Sequence, residues 1–103
     1  MARSQFVILS RVTTPEGGLG PLGTRRDIET ALSCRNTMSD RPGGDTLYGP
    51  GIEVDLSPGE DPVMQMSLTV TDRDIAPAVI ARLVQEFQWR IFDDQGREVE
   101  VVS

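Results

Sequence analysis

Residues 18–23 read Gly18-Leu19-Gly20-Pro21-Leu22-Gly23, a G-x-G-x-x-G spacing that runs straight into Thr24-Arg25-Arg26. Glycines so spaced let a backbone approach a pyrophosphate at the N-terminus of a helix. The surroundings argue against a dinucleotide site. The preceding strand pattern ends near Val12, residues 36–48 show no buried strand to finish a β-α-β unit, and 103 residues are too few for the full fold. Gly18 and Gly23 also have phosphate-loop spacing, but Thr24 stands where the lysine belongs. A simpler anion or small-ligand site remains. Gly18, Gly20 and Gly23 lead into the free amides of a helix starting at Thr24, with Arg25 and Arg26 beside them. Asp27 and Glu29 follow at once and oppose it; the bland counterpart is a Pro/Gly loop with two solvated arginines.

Carboxylates recur in pairs: Glu53 with Asp55, Asp72 with Asp74, and Asp93 with Asp94. Two residues apart on a strand, Glu53 and Asp55 share one face at about 7 Å, close enough to hold a divalent ion or act as an acid/base pair. The structural alternatives are the wet face of a one-sided sheet for Glu53 and Asp55, a helix cap for Asp72 or Asp74, and a turn for Asp93-Asp94-Gln95-Gly96. Cys34 is the chain's single thiol. Without an imidazole nearby it reads as a small, semi-buried packing residue, and Met38, Met64 and Met66 read as core filler.

What the chain lacks narrows its chemistry further. It has no histidine and no lysine, and all ten basic residues are arginine. An imidazole base, a His-ligated metal and a Schiff-base amine are therefore excluded, which leaves carboxylates, hydroxyls, one thiol and arginine; the balance leans against an enzyme without deciding it, and no metal site or cofactor is expected. A net charge of −6 disfavours contact with nucleic-acid backbones or anionic lipid. The longest apolar run near the start, Phe6-Val7-Ile8-Leu9, is far shorter than a signal-peptide core or membrane span. With one cysteine and no such segment, a cytoplasmic location is expected.

Fifteen of the seventeen glycines and prolines fall in residues 15–23, 42–51 and 58–62, which marks those stretches as loops. The segments between them carry clear periodicities. Gln5 to Val12 is a β-rich run with apolar residues on both faces. Thr24 opens a short helix that ends near Arg35 or Asn36, with Asp27 three residues after the cap. Ile52 to Leu56 and Met64 to Val70 alternate as half-buried strands. Ala76, Val79, Ile80, Leu83, Val84 and Phe87 form the apolar stripe of a helix over 75–88, with Pro77 in its first turn. Trp89 to Phe92 is a strand, and Glu98 to Val102 a closing hairpin strand. The string predicts a single α+β domain over residues 1–103: a ferredoxin-like β-α-β-β-α-β two-layer sandwich with an extra C-terminal hairpin strand.

Residues 36–51 are then a long loop, a common place for function. Arg41, Leu47 and Tyr48 within it either form a contact patch for a partner or fold back to lid the core. The leading functional expectation is a non-enzymatic protein-interaction or regulatory module, monomeric or weakly homodimeric. It would act through a sheet edge, the polar sheet face or this loop. The alternative is a small-anion or small-ligand binder, or an enzyme using carboxylates and arginine, centred on the Gly18–Arg26 loop and helix N-terminus.

Overall fold

Alternating β-branched and aromatic residues build five strands, and two apolar stripes build two helices. The structure, a computed structural model, describes residues 4–41 and 44–99. In chain order the elements are β1 (Gln5–Ser10), α1 (Arg25–Ser33), β2 (Thr46–Gly49), β3 (Ile52–Leu56), β4 (Met66–Val70), α2 (Ala76–Phe87) and β5 (Trp89–Phe92). The strands form one antiparallel sheet in the order β2-β3-β4-β1-β5.

Register places most of the strands' apolar residues on one side. Ile8 lies opposite Met66 and Ile91, Val54 opposite Leu68, and Leu56 opposite Met66. These residues, with Ile52 and Trp89, are 3% exposed or less. Ile28 and Leu32 of α1 and Ile80, Leu83 and Val84 of α2 belong to the same cluster, so both helices cover that side and, among the described residues, leave the other helix-free. The fold is thus α+β, with helices layered on one face of an antiparallel sheet.

The helix ends follow the expected chemistry. Thr24 Oγ1 accepts from the Asp27 amide at 3.1 Å and caps α1. Asp72 Oδ1 accepts from the amides of Asp74 and Ile75 just ahead of α2, whose first turn holds Pro77. Gln88 closes α2 in the left-handed region at φ 58°, and Trp89 resumes as strand.

Several expectations need correction. The stretch 36–51 is not all loop: Thr46–Gly49 is a strand paired with β3, so the additional strand lies between α1 and β3. That arrangement differs from the expected strand string. At the C-terminal end Glu98 bridges Phe92 and the Val99 amide donates to the Ile91 carbonyl, and residues 100–102, the rest of the expected hairpin strand, lie outside the described residues. β1 stops at Ser10 because its hydroxyl accepts from the Val12 amide and bends the chain. β4 starts at Met66; the Met64 amide donates to Glu60 Oε1 in the preceding turn instead of to a strand. Met66 is buried, but Met38 and Met64 are exposed, as is Cys34, so none of these three fills the core.

Candidate functional site

The Gly18–Arg26 segment is tied down by bonds within the chain. The Gly18 amide donates to Thr14 Oγ1 at 3.1 Å and the Gly20 amide to the Val12 carbonyl at 2.8 Å. Gly23 bridges Val63 through the Val63 amide and the Gly23 carbonyl at 2.8 Å. A helix N-terminus favours an anion, and here the carboxylate of Asp61 takes that place, accepting from the Arg25 amide at 3.1 Å. The Arg25 side chain, 18% exposed, donates to the Ser57 carbonyl at 3.2 Å, pairs with Asp45, and lies 3.3 Å from Glu29. It thereby clasps α1 to the segment before β2 and to the turn after β3. Arg26 is exposed.

Of the three residues singled out in 36–51, strand alternation separates Leu47 from Tyr48. Leu47 points into the core and is 1% exposed, whereas Tyr48 turns to the helix-free side and is 45% exposed. Arg41 is exposed, 3.7 Å from Asp40. Arg41 and Tyr48 share the lining of a shallow polar depression of about 340 Å³ with Asp40, Asp45 and Thr46. The structure therefore brings Arg41 and Tyr48 together and sends Leu47 away from them.

The helix-free face of the sheet collects several of these side chains. Its rows run Tyr48, Glu53, Thr69, Gln5 and Thr46, Asp55, Ser67, Val7, Phe92 across neighbouring strands. Glu53 and Asp55 lie on this face as expected, with Thr46 Oγ1 donating to Asp55 Oδ1 at 2.6 Å. The β1–β5 half is different in character. Val7, Leu9 and Phe92 are half-buried there without a helix above them. The Arg90 guanidinium lies 5.0 Å from the Phe92 ring centroid and donates to Glu98 Oε1 at 2.8 Å. That bond to Arg90 holds the Glu98 carboxyl below its usual range, with a weaker pull from Arg11, and raises Arg90 in turn.

Both sheet edges are closed by short pairings. Met38 exchanges two backbone bonds with Tyr48, at 3.1 and 2.8 Å, along the outer side of β2. On β5 the Val99 amide donates to the Ile91 carbonyl at 2.8 Å, and the Asp93 amide to the Arg97 carbonyl at 2.8 Å. Such blunting protects an edge from strand addition. Met38 and Tyr48, bridged partners on one face, are 48% and 45% exposed.

Sequence reasoning missed Val7, Leu9, Phe92 and Met38 as surface features. Val7 and Leu9 looked like the second face of an interior strand. The available signal was β5 itself: with Trp89 and Ile91 inward, Phe92 must point out.

The remaining chemistry-bearing groups serve local structure. Asp93 Oδ1 accepts from the amides of Arg97 and Gln95, each at 2.9 Å, and these bonds hold its carboxyl below the usual range. Cys34 lies at an open groove of about 360 Å³ between the helices, beside Arg35, Arg82 and Glu86. Arg35 is engaged there with Glu86 at 2.6 Å and stacks on Phe87. Among the described residues no three or more histidine, cysteine or acidic side chains gather as a metal set, and no helix is long and apolar enough to cross a membrane. No protein-family model matches this chain, and no curated protein or solved structure matches it either.

Proposed function

We propose that this chain is a non-enzymatic protein-interaction module that meets its partner through the helix-free face of the sheet. The observation that carries the reading is the pairing of two features on that face. Half-buried Val7, Leu9 and Phe92 lie at one end, and exposed Met38 and Tyr48 at the other. Apolar and aromatic side chains grouped on an open face suit a contact surface, where tyrosine and methionine are favoured. The closed edges turn attention from strand addition to this face. The alternative anion site at Gly18–Arg26 would have to displace Asp61 from the helix amides and free Arg25 from Asp45 and Ser57.

We infer too that the architecture is an elaborated ferredoxin-like sandwich. With β2 set aside, the strands run β3-β4-β1-β5, with α1 after β1 and α2 before β5, the order a split β-α-β-β-α-β unit gives. Such a fold serves many functions, so the interaction reading rests on the face and not on the fold.

Gel filtration of native-cell extract tests the proposal. The unmodified chain should elute within a larger species, and Tyr48→Asp or Phe92→Asp should shift it to the free chain while retaining a cooperative melt. Unshifted elution of both variants would overturn it.

A further inference from the structure

We draw no further inference here: the strongest candidate, the open groove between the two helices where Cys34 lies beside Arg35, Arg82 and Glu86, rests on a lone cysteine whose neighbour Arg35 is already bonded to Glu86, with no second observation to name an occupant.

Discussion

Replacing Arg25 with methionine should loosen the joint between α1, the start of β2 and the β3–β4 turn. Methionine keeps the aliphatic stem and removes every charged contact. The largest loss is the bond from the guanidinium to the Ser57 carbonyl, a charge-assisted interaction of the kind that contributes about 1.5 kcal/mol or more. The pair with Asp45 adds less, because the Asp45 side chain is 42% exposed and water screens it. The i,i+4 contact with Glu29 adds a few tenths. After the entropy regained by a freed side chain, a net loss of about 2 kcal/mol is expected. For a domain of this size that lowers Tm by roughly 10 °C. The assay is a thermal melt and a denaturant titration, with Asp45→Asn as a second variant to measure the coupling. Phosphate supplies the counter-test. If Arg25 is a clasp, phosphate should not raise the Tm above that in chloride of equal ionic strength. If the arginine instead holds an external anion, phosphate at a hundred times its Kd would stabilise by about 2.7 kcal/mol. A Tm change below about 2 °C for Arg25→Met, or a phosphate effect that this variant abolishes, would refute the reasoning.

Other perturbations report on different parts of the structure. Leu68 is fully buried between neighbouring strands, so Leu68→Ala should cost about 3 kcal/mol in denaturant titration. Gly51 and Gly59 have nearly the same φ, 75° and 74°, but a Cβ on Gly51 would meet the Ala76 amide nitrogen at 3.0 Å while one on Gly59 meets nothing within 4 Å. Alanine at 59 should therefore cost about 1 kcal/mol and alanine at 51 distinctly more, measured side by side. Glu98 and Asp93 both have carboxyls depressed below their unfolded values. Their contribution is present above the unfolded carboxylate range near pH 4 and is lost as pH falls through the folded values. Melts from neutral pH downward should show Glu98→Gln flattening that decline, and an unchanged slope would count against the Arg90 pairing.

The long elements were legible because periodicity and burial agree in them. Ile52–Leu56 and Trp89–Phe92 have the bounds that alternation predicts, and α2 differs by one residue at each end. β2 was hidden for a physical reason: four residues with one buried side chain, Leu47, show too little alternation to stand out between Pro/Gly patches. A signal existed in Pro50-Gly51, a two-residue turn ahead of the strict alternation of β3, with Gly51 at positive φ. The tertiary partners of Arg25 were not legible. Ser57 and Asp45 lie 32 and 20 residues away, and only the folded turn and the strand before it bring them to the helix. The helix-free face was half visible: alternation puts Glu53 and Asp55 on a wet surface, but Val7, Leu9 and Phe92, which share it, belong to β1 and β5, whose neighbours depend on strand order.

Site-specific photo-crosslinking in the native cell tests the central claim most directly, with the probe at Tyr48 or Ser67 on the sheet face and at Arg26 or Arg82 on the helices. The account predicts adducts, to a second copy or another protein, from positions 48 and 67 and little from 26 and 82. Adducts confined to the helix positions would contradict it.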